Sequence, residues 1–254
     1  MKNVLLTVAG FDPSSGAGAT LDLRVFNHFG FYGLAVLTAI TIQNSFQVYG
    51  FKPLSAELIL EQYRKLKADF KLAGIKVGML GSRKAISAVE EIVSDNNNLP
   101  VVIDPVFRSS SGQWLLEKKY IQKYLQSIRG KITLLTPNLN EASLILGEKI
   151  DTVEDMEQAA RRISQLTRSA CLLKGGHLMD KVVDVFYDGH QIHLFKKKKL
   201  PAEVHGTGCF LSSTILCFLA EGLPLTEACK KASMTIHRFL HSPLLLGHRP
   251  LFDL

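Results

Sequence analysis

The sequence has no CxxC pair, and its four cysteines, Cys171, Cys209, Cys217 and Cys229, match no zinc-ligand spacing. Three of them sit in apolar surroundings and read as small core residues. Such usage points to a reducing compartment. No stretch approaches the roughly 18 consecutive apolar residues of a membrane-spanning helix. The opening run MKNVLLTVAG meets a Gly/Ser/Pro loop well short of signal-peptide length. Linkers, internal repeats and low-complexity segments are also missing. These absences lead us to expect one domain over residues 1–254, cytoplasmic and without a membrane partner. Acidic residues are the minority, 23 against 30 Lys and Arg, for a formal net charge of +7. That balance suits an anionic partner. No basic face interleaved with aromatics, helix-turn-helix or RNP signature is present, so nucleic acid is not expected. The densest basic cluster, Lys196–Lys199, reads as a solvated loop or strand edge, or as a weak electrostatic funnel for phosphates.

What is present is an alternation of apolar runs and amphipathic stretches. The sequence predicts strands within 3–10, 34–44, 73–80, 100–106, 131–138 and 170–176. It predicts helices over 19–30, 56–70, 84–95, 120–128, 141–147, 153–167, 208–221 and 225–241. Residues 182–195 carry an Asp-Gly turn between two strands, a hairpin signal. This order calls for an α/β fold with a mostly parallel central sheet covered on both faces. Ligands of such sheets bind outside the C-terminal ends of the strands. Gly10 and Asp12, Gln43 and Asn44, Gly78 and Met79, Asp104, Asn138 and Glu141, and Lys174 to His177 all follow predicted strand ends.

Two glycine-rich stretches invite a phosphate reading. GFDPSSGAGATLDL (10–23) has neither GxGxxG nor GxxxxGK[ST] spacing, so a nucleotide would have to be bound in another way. HGTGC (205–209) opens an apolar helical run. Backbone N–H groups of Gly206, Thr207, Gly208 and Cys209 in a first helical turn favour an anion, such as a phosphoryl group in transfer. The same location can lower a thiol pKa, which would let Cys209 act as a base; a plain helix start with a buried Cys has the same spacing. Asn138 and Glu141 lie one turn apart and can hold the water shell of a magnesium ion, or simply form a capping box. Lys174, before two glycines, can meet an ATP phosphate, and Asp104 can join the metal shell. Lone buried Lys and Asp are uncommon.

Taken in order, AGFDPSSGAGATLDL, LTAITIQN, KVGML, VVIDPV, LLTPNLNEASLILG, LLKGGHL and HGTGC resemble the hydroxymethylpyrimidine and phosphomethylpyrimidine kinases of thiamine biosynthesis. That family is ribokinase-like and related to the smaller pyridoxal kinases. The resemblance implies a three-layer α/β/α sandwich without a large lid, a homodimer, and ATP with Mg²⁺. It implies Cys209 as the base that takes the acceptor's proton, where many ribokinase relatives have Asp, with Gly206, Thr207, Gly208 and Cys209 as the anion hole. It implies Gln43 on the aminopyrimidine edge, Gly10, Met79 and Val106 around the ring, and Asp22 retained in the substrate region. Asp104 and Glu141 match the magnesium-water and phosphate region, with Lys174 and Asn138 on the nucleotide side.

Three stretches depart from the family pattern. Ala19-Thr20-Leu21 replaces Ile-Gln-Ala, Glu203-Val204 replaces Asn-Thr, and Phe107-Arg108-Ser109-Ser110-Ser111-Gly112 replaces Met-x-Ala-Lys-Ser-Gly. Arg108 supplies a cation where the family lysine is missing. The expected activity is phosphorylation of hydroxymethylpyrimidine and of its monophosphate. Pyridoxal kinase activity and a non-catalytic ligand-binding relative are the alternatives.

Overall fold

The protein is described from a computed structural model covering residues 3–175, 181–198 and 204–254. In chain order the elements are β1 (Val4–Phe11), α1 (Gly18–His28), β2 (Tyr32–Gln43), β3 (Val48–Pro53), α2 (Ala56–Asp69), β4 (Leu72–Val77), α3 (Arg83–Ser94) and β5 (Val101–Ile103). They continue with α4 (Ile121–Ser127), β6 (Leu134–Leu135), α5 (Leu139–Leu146), α6 (Val153–Thr167), β7 (Ala170–Leu173), β8 (Lys181–Tyr187), β9 (Ile192–Lys198), α7 (Thr207–Ala220) and α8 (Leu225–Phe239).

The described strands form one sheet in the order β3-β2-β1-β4-β5-β6-β7-β8-β9. The run from β2 to β7 is parallel. The β2–β3, β7–β8 and β8–β9 pairings are antiparallel. Period-two alternation divides the strand side chains between two cores. Leu6, Val8, Ile75, Val77 and Ile103 face helices α2 to α6. Leu5, Val102, Leu134 and Leu172 face α1, α7 and α8. This is the expected three-layer α/β/α arrangement. The chain leaves β1 for β2 on one side and returns to β4 on the other, so the sheet switches direction between β1 and β4. In open parallel sheets ligands bind at such a point, outside the strand ends.

Local chemistry explains the helix starts. Ser55, Ser82, Asn138 and Thr152 each accept a hydrogen bond from a backbone N–H in the first turn of α2, α3, α5 and α6. Helix α7 has no such side chain. Its N-cap is Gly206, at φ +85°, where a side chain would collide with the carbonyl of Gly16.

Three sequence expectations change. The edge strand β3 was not expected, because Gly50 and Pro53 give VYGFKP the look of a loop. The strands expected over 100–106 and 131–138 contract to Val101–Ile103 and Leu134–Leu135; prolines follow both, at Pro105 and Pro137. The basic cluster is split. Lys196 and Lys198 are exposed on the edge strand β9, while Lys197 turns inward to Asp184, Nζ to Oδ2 2.6 Å. Lys199 lies outside the described residues, as does His177.

Candidate active site

Most of the residues singled out in the sequence gather at the C-terminal edge of the parallel strands, around the start of α7. The first N–H groups of an α-helix have no intrahelical partner, and in α7 no side chain among the described residues caps them. A Cβ added at Gly208 would lie 3.0 Å from Asp104 Oδ2 and 3.1 Å from Lys174 Nζ. The free donors of this turn therefore sit against a largely buried ion pair. Its partners are Asp104, just beyond β5, and Lys174, just beyond β7, with Nζ to Oδ1 2.6 Å. The Lys174 backbone is fixed by its N–H donating to the Pro137 carbonyl at 2.8 Å.

Asn138 and Glu141 form the capping box that starts α5. Asn138 N–H donates to Glu141 Oε2 at 2.8 Å, and Glu141 N–H donates to Asn138 Oδ1 at 2.9 Å. The box does not withdraw Glu141 from the site. Its carboxyl is buried, and burial pushes its pKa up to about 8. Lys174 pulls against that rise and Asp104 adds to it. Burial disfavours the charge on Lys174, yet Asp104 and Glu141 outweigh it and hold the ammonium above its ordinary pKa.

A stability signature follows. Native Glu141 keeps its proton up to about pH 8, whereas an unfolded glutamate loses it near 4.5. Between those values the native state binds more protons, so this group lowers stability as pH rises. Glu141→Gln keeps a hydrogen-bond acceptor for Asn138 N–H and removes the titration. The melting temperature of the variant is expected to gain on the parent steadily from about pH 5 to pH 8. Parallel curves of melting temperature against pH would contradict the assignment.

The acceptor side is built from β1, β2 and β4. A Cβ at Gly10 would come within 2.8 Å of Met79 Sδ, so the ends of β1 and β4 meet there. Met79 packs with Ala39, Leu115 and Val106. Gln43, at the end of β2, donates from Nε2 to Asp12 Oδ2 at 2.9 Å, and the same nitrogen lies 3.0 Å from His205 Nε2. A carboxylate only accepts, so Asp12 fixes which end of the Gln43 amide faces it. The neighbouring His205 nitrogen then accepts. Among the described residues Oε1 has only Thr41 Oγ1 at 3.3 Å, a hydroxyl whose proton also serves the Phe11 carbonyl at 2.9 Å. Gln43 thus offers an acceptor to a ligand.

Cys209 occupies the first turn of α7, a location that can lower a thiol pKa, but its surroundings act in the opposite direction. Burial pushes the thiol up to about 12. Lys76 and a backbone N–H from Gly18 favour the thiolate, while Asp22 and Asp104 oppose it. Asp22 is a correction. Its carboxylate is fully buried and accepts from Thr7 Oγ1 at 2.6 Å, Ser213 Oγ at 2.8 Å and Lys76 Nζ at 2.7 and 2.9 Å. Its acceptor sites are filled, so it cannot bind a substrate directly. Sequence reasoning missed its partner Lys76 and the orienting pair Asp12 and His205. Asp12 stood out only as a strand-end residue. The signal for Lys76 was a charged residue inside the apolar strand GIKV.

Arg108 is exposed and stacks on Trp114, its guanidinium carbon 3.8 Å from the ring centroid. A separate cleft of about 1050 Å³ lies between β3, the start of α3 and residues 114–123. It contains none of the strand-end groups described above.

Comparison with known proteins finds relatives over nearly the whole chain. The family model described as phosphomethylpyrimidine kinase matches residues 12–251. A hydroxymethylpyrimidine/phosphomethylpyrimidine kinase of Aquifex aeolicus is 36% identical over 246 residues, covering 96% of each chain. The crystal structure of phosphomethylpyrimidine kinase from Clostridium difficile superposes with a TM-score of 0.80 at 34% identity, over 93% of this chain and 99% of that one. The pyridoxal kinase from Staphylococcus aureus in complex with ADP superposes with a TM-score of 0.90 at 28% identity, over 100% of this chain and 93% of that one.

Proposed function

Because the chain belongs to the phosphomethylpyrimidine kinase family, we propose that it transfers the γ-phosphoryl group of ATP to 4-amino-5-hydroxymethyl-2-methylpyrimidine. A second transfer, to the monophosphate, would give the diphosphate used in thiamine biosynthesis or salvage. The observation that carries the acceptor assignment is Gln43. Its Asp12-oriented amide presents Oε1, which matches an exocyclic amino group, a donor.

With the ring against Gly10, Met79 and Val106, the hydroxymethyl oxygen is directed toward Cys209. The transferring phosphoryl group lies over the free N–H groups of Thr207, Gly208 and Cys209, where fixed donors stabilise its charge. Lys174 adds a cation on the nucleotide side, and Asn138 borders it. Catalysis is mainly positioning and electrostatics, with the hydroxyl proton passing to the thiolate form of Cys209.

Among the described residues no group of three His, Cys, Asp or Glu side chains could cage a metal ion. Asp104, and Glu141 once it gives up its proton to the ion's charge, would hold Mg²⁺ in the way that ion prefers, through retained waters and substrate phosphates. When bound with ATP, the ion would neutralise phosphate charge.

Gln43→Ala is expected to raise KM for the aminopyrimidine at least about tenfold, because the site loses its polar partner for the ring edge. KM for ATP should stay within about twofold. Equal kinetics in parent and variant would remove the aminopyrimidine assignment. The likeness to pyridoxal kinase keeps a second acceptor in view, and the ratio of kcat/KM on hydroxymethylpyrimidine and pyridoxal decides between them.

A homodimer is supported by Ile40, Ile42, Phe46 and Tyr49, which expose apolar surface on β2, β3 and their connection; light scattering reads its mass. Free thiols, and no helix among the described residues long and apolar enough to cross a membrane, agree with a cytoplasmic setting.

A further inference from the structure

Lys76 is completely buried, and no step described so far uses it. The alternation along β4 sends Ile75 and Val77 to one core and Lys76 to the other, between α1 and α7. A lysine there without a partner would shed its proton. Instead Nζ donates to both oxygens of Asp22, at 2.9 and 2.7 Å, with both side chains fully buried. The pair holds Lys76 above its ordinary pKa against the cost of burial.

The carboxylate ties four elements together. Lys76 comes from β4, Thr7 from β1, Asp22 from α1 and Ser213 from α7. Ser213 stands one turn after Cys209, on the same side of α7. The bond from Ser213 to Asp22 therefore holds the turn next to the free N–H groups. Lys76 also reaches toward the mouth of the site. A Cβ at Gly78 would lie 2.9 Å from its Nζ, so glycine at the strand end leaves room for the ammonium. Four charged groups act on Cys209: Lys76 on β4 favours the thiolate, Asp22 on α1 and Asp104 after β5 oppose it, and Lys174 after β7 is coupled to it.

We propose that Lys76 is a positioning residue for phosphoryl transfer. Through Asp22 and Ser213 it fixes the first turn of α7, which carries Cys209 and the uncapped N–H groups. The proposal rests on the assignment of Cys209 above.

The test uses the full chain carrying Lys76→Met. Asp22 left alone takes up a proton rather than staying charged in the core. With the fold intact by circular dichroism, kcat should fall about ten- to a hundredfold, while KM for ATP and for the acceptor stays within about twofold. Alkylation of Cys209 by iodoacetamide, read by mass spectrometry against a Cys209→Ser blank, should slow about two- to threefold, because loss of the ammonium is partly offset by neutralisation of Asp22, which opposes the thiolate. If Lys76→Met does not fold, Asp22→Asn/Lys76→Met removes the pair without stranding either charge, and the same losses are expected. A folded variant with unchanged kcat and alkylation rate would overturn the proposal, as would a loss confined to KM. Alkylation needs no turnover. Should Cys209→Ala keep full activity, the base assignment fails by itself, and the alkylation rates still report whether Lys76 acts on that thiol.

Discussion

Cys209→Ala is expected to lower kcat by about 10²–10⁴, the range for a positioned proton acceptor, with KM for ATP nearly unchanged. The pH profile makes the role specific. With its pKa pushed up to about 12, the thiol of the parent protein is mostly protonated at neutral pH. The thiolate fraction then grows with pH, so kcat/KM for the acceptor should climb about tenfold per unit between pH 7 and 9. The alanine variant should be flat over that interval. A steep profile that survives in Cys209→Ala would place the base elsewhere. A parent profile that levels off near pH 7 would mean that bound substrate, or a group in the site, stabilises the thiolate far more than Lys76 does.

Lys174→Met carries the other large effect. It removes the ammonium beside the free N–H groups of α7 and leaves Asp104 facing Glu141. Loss of a fixed group that stabilises transition-state charge costs about 10²–10³ in kcat. Breaking a buried pair by removing one partner costs about 3–5 kcal/mol of stability. Both losses are expected together, seen as slower turnover and a lower urea midpoint. Asp104→Asn/Lys174→Met removes the stranded carboxylate. It should recover most of the stability and little of the activity. Recovery of both would make the pair structural and free the phosphoryl site from it.

Much of this was legible in the sequence because parallel strands buried on both faces read as apolar runs and their helices as amphipathic ones. The strand-end rule then named Gly10, Gln43, Met79, Asp104 and Lys174 before any coordinates. What stayed hidden depends on which side chain meets which. Asp22 matched a family position, but only packing reveals that Thr7, Ser213 and Lys76 fill its lone pairs. Glu141 had two readings, a cap and a member of the phosphate region. The structure puts the capping bond and the buried position beside Lys174 in one side chain, so the readings were never exclusive. For Cys209 the helix start suggested a lowered pKa. Burial and two nearby carboxylates reverse that direction, and neither is visible in a five-residue motif. The edge strand β3 escaped because an edge tolerates the Gly and Pro that would break a central strand.

The most direct measurement is ³¹P NMR of the purified protein with Mg-ATP and 4-amino-5-hydroxymethyl-2-methylpyrimidine, followed over time with pyridoxal in a parallel sample. The expected result is a monophosphate ester followed by a diphosphate on the aminopyrimidine, at rates well above those on pyridoxal. Rapid phosphorylation of pyridoxal alone, or no phosphorus transfer to either alcohol, would contradict it.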